Sequence, residues 1–176
     1  MNKQVWIEKA LGLGIQEFEI YQSTTVEKEM TWFQGQMDTL VSSKVTGTSI
    51  RGIVDGKMAN MALEEIDDSM CETVLKSLIE QAHIISNEET DSLRKPESID
   101  YVKKDVTWNM ASTEYVKNIL QSLEAKILAY DPRVIQVGYL GYSQGSGSRS
   151  IVNSLGMDVQ DADEMQYIVA SVVVKE

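Results

Sequence analysis

The chain has 176 residues, of which 43% are hydrophobic and 24% charged, a composition typical of a globular protein and not of a disordered chain. Its formal net charge of −11 argues against nucleic acid and anionic membranes as partners, because both would repel it. A single cysteine, Cys71, excludes an internal disulfide and favours a reducing compartment. The N-terminal residues lack a signal-peptide pattern, and no stretch approaches the roughly 20 apolar residues of a membrane-spanning helix. The predicted location is therefore the cytoplasm.

The first elements are predicted to be a helix and a pair of strands. Apolar residues at helical spacing predict a helix over 3–13, with glycines near its end to stop it. A run rich in β-forming residues predicts a strand over 17–33. Gln34-Gly35-Gln36 can turn the chain into a returning strand over 37–45. Gly47 is then predicted to mark a corner before the next hairpin.

The next hairpin is the stretch around which the fold is predicted to be organised. Apolar and polar residues alternate over 49–54, and 57–61 runs back as the partner strand. Asp55-Gly56 between them supplies the pair of residues that a type I′ turn prefers. Two strands alone are marginal in water, so this hairpin needs neighbours on its apolar face.

A strongly amphipathic helix over 69–85 is predicted to cover that face. Its apolar residues recur at helical spacing, and Ser69 and Glu72 have the spacing of a capping box. Asp67 and Asp68 are alternative caps, because carboxylates favour a helix N-terminus.

The second half of the chain is predicted to repeat the order of elements found in the first half. The polar segment over 86–104 is interpreted as an exposed connector and a weak boundary. Ser112 can cap a second amphipathic helix, which Asp131-Pro132 ends. A strand over 134–142 is followed by a flexible glycine-rich turn over 143–148 and a returning strand over 149–153. A turn at Leu155-Gly156 comes next, and 157–174 contains the last strands.

Helices separated by runs of adjacent strands predict an α+β fold with mainly antiparallel sheet or sheets and helices packed on one face. Helix, long strand, glycine turn and further strand occur twice, which suggests an internal duplication of a helix-plus-strands unit. The chain is predicted to form a single domain over 1–176, with the weak sub-boundary at 86–104.

The residues that could carry chemistry are few. A zinc hydrolase needs clustered ligands and a general base at fixed spacing, and this chain has one histidine, His83. His83 lies in the last turn of a predicted helix, where an imidazole suits the negative end of the dipole. Cys71 lies beside the apolar stripe and is interpreted as a small hydrophobic residue rather than a nucleophile. We therefore predict no catalytic, cofactor-binding or metal-binding residue in this chain.

Three other groups of residues have structural interpretations as well. The glycine-rich segment over 143–148 lacks the following helix and lysine of a phosphate loop, so a hairpin loop is the better interpretation. The acidic cluster Glu64, Glu65, Asp67 and Asp68 could bind a cation, but helix capping explains it sufficiently. The tryptophans are interpreted as core or interface anchors: Trp6, Trp32 and Trp108.

Three long stretches and several short motifs carry a family resemblance that covers nearly the whole chain. The stretches are EFEIYQSTTVEKEMTWFQGQMDTLVSS (17–43), GTSIRGIVDGKMANMAL (47–63) and IVNSLGMDVQDADEMQYIVASVVV (151–174). The resemblance depends on the order and spacing of short motifs. These are Gly47, Arg51 with Asp55-Gly56, Asp131-Pro132-Arg133-Val134, and Asn153-Ser154-x-Gly156. In these features the chain resembles the N-terminal region of the TldD/PmbA family, which has also been labelled modulator of DNA gyrase.

The resemblance implies that the protein is related to metallopeptidases, or to their partner subunits, that cut unfolded or modified peptides in the cytoplasm. It also implies that the zinc-binding H-E-x-x-x-H segment of peptidase-type members lies in a C-terminal domain beyond the region present here. No zinc ligand is carried over onto this sequence, and the chain alone is expected to be inactive. The expected partners are its own C-terminal domain, a homologous subunit and a peptide substrate.

Three functions are compatible with the sequence. The first is a non-catalytic N-terminal domain of a TldD/PmbA-like metallopeptidase that shapes the substrate cleft and the dimer interface. The second is a stand-alone module that binds extended peptides, or another protein, along a sheet edge. The third is an independent enzyme that uses carboxylates, for which no constellation of residues is found.

The last predicted strand suggests self-association. Residues 167–174 combine high β-propensity with the absence of proline and of charge. If they form a sheet edge, their unpaired backbone groups are a template for another strand. The net charge of −11 opposes close approach, so association is expected to strengthen as salt screens the repulsion.

Overall fold

The structure is a computed structural model that describes residues 1–64, 66–86, 90–97 and 110–175. Its helices are α1 (Lys3–Gly12), α2 (Cys71–Ile84) and α3 (Thr113–Tyr130); its strands are β1 (Glu17–Phe33), β2 (Gln36–Val54), β3 (Lys57–Leu63), β4 (Val134–Asn153) and β5 (Asp158–Val174). The five strands form an antiparallel sheet in the order β3-β2-β1-β4-β5. The predicted α+β class is confirmed. None of these described helices is long and apolar enough to cross a membrane.

Both predicted tight turns form. β2 and β3 pair antiparallel along the whole length of β3. Between them Asp55 and Gly56 have φ angles of 49° and 75°, as a type I′ turn requires. Gln34 and Gly35 connect β1 to β2 with φ angles of 49° and 80°. The sequence pairs Asp-Gly and Gln-Gly therefore fix the two reversals of the first half.

The predicted corner at Gly47 is wrong, because β2 continues through it as one strand from Gln36 to Val54. Gly47 does not have a positive φ, and a Cβ there would meet only Ser23 Oγ at 3.7 Å. The flanking residues are mostly β-formers, and Thr48 Oγ1 accepts a hydrogen bond from Gln22 Nε2 on β1. A lone glycine without a second turn-forming residue does not interrupt this strand.

The predicted flexible turn over 143–148 is also wrong, because these residues lie inside β4. Gln144 is fully buried, and its Oε1 accepts hydrogen bonds from the Ala111 amide (3.0 Å) and the Tyr142 hydroxyl (2.7 Å). A Cβ at Gly147 would stand 2.6 Å from Asp163 Oδ1. The glycine here allows a close approach of a neighbouring side chain rather than a reversal of the chain. The predicted turn at Leu155-Gly156 does form, with Gly156 at a φ of 93°.

The predicted capping box of α2 does not form. The chain enters α2 through a 3₁₀ turn over Asp68–Met70, and Asp67 caps this turn by accepting from the Ser69 amide at 2.7 Å. Ser69 donates its hydroxyl to Asp67 and therefore does not cap the helix itself. Asp67, named from the sequence as an alternative cap of the helix, caps the 3₁₀ turn instead, and α2 itself begins without a side-chain cap. The buried stripe of α2 otherwise follows the predicted spacing: Val74, Leu75, Leu78 and Ala82.

The N-terminal cap of α3 is confirmed, since Ser112 Oγ accepts from the Tyr115 amide at 3.1 Å. Val116 and Leu120 are buried as expected. Tyr130, predicted to lie on the apolar face, is 88% exposed because it ends the helix. Glu124 is buried instead, and its Oε2 accepts from Trp32 Nε1 (2.8 Å) and the Gly35 amide (3.0 Å).

The chain divides into two compact units. The first consists of Met1–Thr24, the described part of Thr46–Lys104, and Ser148–Asp161; the second consists of Thr25–Val45, the described part of Asp105–Gly147, and the described part of Ala162–Glu176. The core of the first includes Trp6, Phe18, Ile20, Ile50, Leu75 and Leu78. The core of the second consists of Met30, Trp32, Val116, Leu120, Val137, Leu140 and Tyr142. Strands β1, β2, β4 and β5 each contribute to both units.

Part of the predicted connector over 86–104 packs against the first unit. Leu93 is only 5% exposed, and its amide donates to Glu17 Oε2 at 2.6 Å. The Asp91 amide donates to the Gly56 carbonyl, and Asp91 Oδ2 accepts from the Met58 amide. The prediction of an exposed connector is therefore wrong for these residues. Residues 87–89 and 98–104 lie outside the described part of the chain, and the predicted boundary stays a prediction.

Candidate functional site

Strand β5 is an outer strand of the sheet and carries extensive apolar surface. Along 165–174, which we call the β5 edge, seven large side chains are 40–63% exposed: Met165, Tyr167, Ile168, Val169, Val172, Val173 and Val174. They include odd and even positions, so both faces of the strand are exposed. The segment contains neither proline nor charge, the usual protections of an outer strand. The condition set for self-association, that this stretch lies at a sheet edge, is met in the described sheet, and self-association itself stays a prediction.

The backbone of the β5 edge can offer hydrogen bonds on its outer side. The Lys175 amide donates to the Arg133 carbonyl beside β4 at 2.9 Å. Because bond directions alternate along an antiparallel strand, odd-numbered residues direct their amides towards β4 and even-numbered ones such as Ala170 direct theirs outward. No strand follows β5 in the order of the described sheet. These outward groups can therefore accept another strand.

A shallow apolar groove lies beside this edge, within the second unit. It has a volume of about 520 Å³ and is lined mostly by α3: Tyr115, Asn118, Ile119, Ser122, Leu123, Lys126 and Ile168. Ile168 is its contribution from β5, which places the even-numbered side chains of the β5 edge on the α3 side. A strand added to β5 would direct alternate side chains towards this groove.

Two of the sequence motifs meet in a buried polar cluster of the first unit. Glu19 is 2% exposed, and its Oε1 lies 2.6 Å from Nη2 of Arg51 on β2. Its Oε2 accepts from Asn153 Nδ2 at 3.2 Å. Asn153 is 4% exposed; its Nδ2 also donates to the Arg94 carbonyl, and its Oδ1 accepts from the Leu155 and Met157 amides. The cluster Glu19, Arg51 and Asn153 thus ties β1, β2 and the β4–β5 turn together.

Sequence reasoning identified Arg51 and Asn153 as motif residues but missed Glu19. In the stretch Glu17 to Tyr21, Glu19 alternates with Phe18 and Ile20, which indicates an exposed position. Phe18, Glu19 and Ile20 are all buried, so the strand is covered on both faces there. Only the pairing of β1 with β2 brings Arg51 beside it, and the periodicity of a single strand does not contain that signal.

The Asp131-Pro132-Arg133-Val134 motif has a local structural role. The Arg133 amide and Nε donate to Asp131 Oδ1, and Nη2 donates to Oδ2, all at about 3 Å. These contacts from Arg133 lower the pKa of the Asp131 carboxyl. The motif therefore forms the corner between α3 and β4.

A polar groove lies within the first unit. Its volume is about 550 Å³, and its lining includes Lys3, Gln22, Ser150, Asp158 and Gln160. Lys3 Nζ donates to Ser150 Oγ within it. No sequence motif indicated this groove, because it combines the start of α1 with strand residues that are distant in sequence.

The sequence-predicted candidates for chemistry lie apart from these features. His83 Nε2 lies 3.7 Å from Asp55 Oδ2, and both side chains are more than half exposed. Cys71 is buried in the core of the first unit, and burial raises the pKa of its thiol, consistent with a small core residue. Trp6 and Trp32 are core residues, whereas Trp108 lies outside the described part of the chain.

Two members of the acidic cluster, Asp67 and Asp68, accept backbone hydrogen bonds. Asp67 caps the 3₁₀ turn, and Asp68 Oδ1 accepts from the Asn2 amide and from Trp6 Nε1, both at 2.9 Å. Both hydrogen bonds lower the pKa of the Asp68 carboxyl, and the bond from the Asn2 amide has the larger effect. Glu65 lies outside the described residues.

The described residues do not fit a zinc ion. A catalytic zinc takes three protein ligands and a structural zinc four. Among residues 1–64, 66–86, 90–97 and 110–175, no three His, Cys, Asp or Glu side chains are grouped closely enough to hold a metal. The pair His83 and Asp55 offers two donors on an exposed surface, and Cys71 is sequestered in the core. The prediction that this chain binds no zinc stays a prediction.

Comparison with protein families places two successive matches on the chain. Residues 18–86 match the family model described as PmbA/TldA metallopeptidase domain 1. Residues 107–176 match the one described as PmbA/TldA metallopeptidase central domain. A search of curated proteins finds no match to this sequence.

Solved structures share the fold. TldE from Thermococcus kodakarensis superposes with a TM-score of 0.82 at 18% identity, over 99% of this chain and 39% of that one. A candidate modulator of a DNA gyrase from Thermotoga maritima MSB8 gives 0.76 at 18% identity, over 99% and 39%. A second, from Bacteroides thetaiotaomicron VPI-5482, gives 0.77 at 18% identity, over 98% and 40%. The present chain thus spans about two fifths of the length of each of these structures.

Proposed function

The chain belongs to the PmbA/TldD metallopeptidase family, and we propose that it acts as a non-catalytic domain of such a metallopeptidase or of its partner subunit. In this role it shapes the cleft for an unfolded or modified peptide substrate and contributes to the interface between subunits. The cytoplasm is the proposed location, and any zinc is supplied by residues other than those described here.

The observation that carries this proposal is the β5 edge. Monomeric proteins rarely expose a long, flat, apolar outer strand, because its backbone groups recruit other chains. Here the exposed positions alternate through both faces over 165–174. Such a surface suits a contact with a peptide or with another subunit, which are the two partners proposed.

A second candidate function is a stand-alone peptide-binding module. The specific observation that favours it is the apolar groove between α3 and the β5 edge. In strand addition, main-chain hydrogen bonds supply affinity, and pockets for alternate side chains supply specificity. The outward amides of β5 and the groove beside Ile168 offer both.

Peptide binding and cleavage by the 176-residue chain test these proposals together. The probe is a fluorescently labelled, reduced and carboxymethylated polypeptide, which stays unfolded, with added zinc. We expect a saturable rise in fluorescence anisotropy and no cleavage above the blank. Cleavage that is abolished by His83→Ala would overturn the non-catalytic assignment, and an absence of saturable binding would contradict the peptide cleft.

Ala170→Pro separates the two candidates. The Ala170 amide points away from β4, so proline there removes an outward hydrogen bond without breaking the internal ladder. If peptide binds by strand addition to β5, this variant should lose most of the binding. If the cleft lies elsewhere in the domain, binding should be unchanged, which would exclude the stand-alone edge module. A matched circular dichroism melt confirms that the variant is folded.

A further inference from the structure

We propose that Asp55 is a modification site, at which the folded chain converts aspartate slowly and spontaneously to isoaspartate through the backbone nitrogen of Gly56. The site lies in the β2–β3 turn of the first unit, and the inference does not depend on the proposed peptide-binding role. The partner that it implies is an enzyme that methylates isoaspartate with S-adenosylmethionine.

The reaction is an isomerisation that needs only water. The Gly56 nitrogen gives up its proton and forms a bond to Asp55 Cγ, while the Cγ–OH bond of the protonated carboxyl breaks. One water leaves, and a succinimide ring results. Water then adds to the main-chain carbonyl carbon of Asp55 and breaks its bond to the Gly56 nitrogen. The chain now runs through the former side chain, and its mass is unchanged.

Asp55 combines a following glycine with a carboxylate that is free to turn. Gly56 has no Cβ to hinder the approach of its own nitrogen to the carboxyl carbon. The Asp55 side chain is 83% exposed, and His83 Nε2 at 3.7 Å from its Oδ2 is too far away for a hydrogen bond. Within the described part of the chain, ring closure therefore breaks no hydrogen bond of the Asp55 carboxylate.

Asp68 and Asp91 also precede a small residue, a serine in both cases, but their carboxylates are held. Asp68 Oδ1 accepts from the Asn2 amide and from Trp6 Nε1, both at 2.9 Å. Asp91 Oδ2 accepts from the Met58 amide at 3.0 Å. Each carboxyl would have to give up these bonds to reach the following amide. The aspartate of the β2–β3 turn should therefore convert first.

The contacts of Gly56 set the rate, because the attacking nitrogen must first be released. Its amide donates to Gln16 Oε1 at 3.1 Å, which retains the proton that the reaction removes. Its carbonyl accepts from the Asp91 amide at 3.0 Å, and Val54 pairs with Lys57 on either side of the turn. Attack therefore requires a local opening of the turn in which the Gln16 bond is broken. Gln16 is thus a positioning residue that slows the conversion.

Isoaspartate would damage the hairpin. It adds one carbon to the backbone of a two-residue turn, whose φ angles of 49° and 75° match type I′. The longer connection no longer fits the register in which Val54 lies opposite Lys57, so the pairing of β2 with β3 should loosen. Methylation at this position would therefore mark chains that have aged.

The test incubates the folded 176-residue chain at neutral pH and physiological temperature. Isoaspartate is counted as methyl groups transferred from labelled S-adenosylmethionine by a protein isoaspartate methyltransferase, and peptide mapping locates them. We expect label to accumulate at Asp55 ahead of Asp68 and Asp91. Asp55→Gly, which keeps a positive φ without strain, should remove it. Equal label at the three aspartates, or label at Asp55 only in the urea-unfolded chain, would overturn the site.

Variants of Gln16 test the control of the rate. Gln16→Ala should raise it about fivefold, because loss of one backbone hydrogen bond favours the open turn by about this factor. Gln16→Glu keeps an acceptor for the Gly56 amide and should stay within about twofold of wild type. Leu120→Val, in the core of the second unit, is the matched control for a loss of global stability and should leave the rate unchanged.

Each result either supports or overturns the inference. No rise in Gln16→Ala, or an equal rise in all three variants, would overturn the control by Gln16. A melting midpoint that is the same before and after conversion would overturn the predicted damage to the hairpin. All of these outcomes leave peptide binding untouched, so a failure here is distinguishable from a failure of the proposed function.

Discussion

Replacement of Asn153 by alanine should lower the free energy of unfolding by about 4 kcal/mol, which tests whether the Glu19, Arg51 and Asn153 cluster stabilises the fold. The Asn153 side chain is 4% exposed and makes four hydrogen bonds, to Glu19 Oε2, the Arg94 carbonyl and the amides of Leu155 and Met157. A side-chain hydrogen bond contributes about 1 kcal/mol net, and the groups left unpaired here are too buried to recover water fully.

Urea unfolding at neutral pH, followed by circular dichroism, measures this loss. Asn118→Ala on the exposed surface of α3 is the matched control, and it should change the stability by less than about 0.5 kcal/mol. A loss below about 1 kcal/mol for Asn153→Ala would refute the reasoning, because it would mean that the cluster is readily solvated or rearranged.

Asn153→Asp sharpens the test through its pH dependence. It keeps the acceptor for the Leu155 and Met157 amides but places a second carboxylate beside Glu19 Oε2, 3.2 Å away in the wild type. Repulsion between the two would raise the pKa of one of them in the folded state. A raised carboxyl pKa destabilises the protein above that pKa and not below it. The deficit relative to wild type should therefore shrink as the pH is lowered from neutral, and a constant deficit would contradict this.

Three further outcomes are expected. Gly56→Val should lower the stability by more than about 1 kcal/mol, because the residue has a φ of 75° and a Cβ there would stand 3.0 Å from Thr90 Cγ2; an unchanged melting midpoint would contradict this. Asp68→Asn should make the free energy of unfolding fall less steeply as the pH is lowered. The lowered pKa of Asp68 stabilises the fold above the ordinary carboxyl pKa of 3.8, and this stabilisation is lost as the pH falls through the lowered pKa. An acid transition unchanged by the substitution would contradict this. Equilibrium dialysis with elemental analysis should find no stoichiometric zinc, and zinc that survives His83→Ala would reveal a carboxylate site.

Features set by adjacent residues could be predicted from the sequence. The reversals at Gln34-Gly35 and Asp55-Gly56 follow from the φ angles that such pairs tolerate, and the Ser112 cap follows from its position before an amphipathic run.

Features set by distant residues could not be predicted. Composition alone suggested a loop at 143–148, but Gln144 is anchored by Ala111, which lies far from it in sequence. Glu19, Arg51 and Asn153 meet only once three strands are assembled. In each case a tertiary contact overrides a local preference that is worth about 1 kcal/mol.

The interleaving of the two units has a consequence for folding. Each unit takes residues from both family-matched segments, 18–86 and 107–176, so neither segment contains a complete core. Most stabilising contacts therefore join residues far apart in sequence, which corresponds to a high contact order and slow, late closure of the sheet. Expression of 18–86 or 107–176 alone should give a chain without cooperative unfolding, and the two fragments should regain it only when they are mixed.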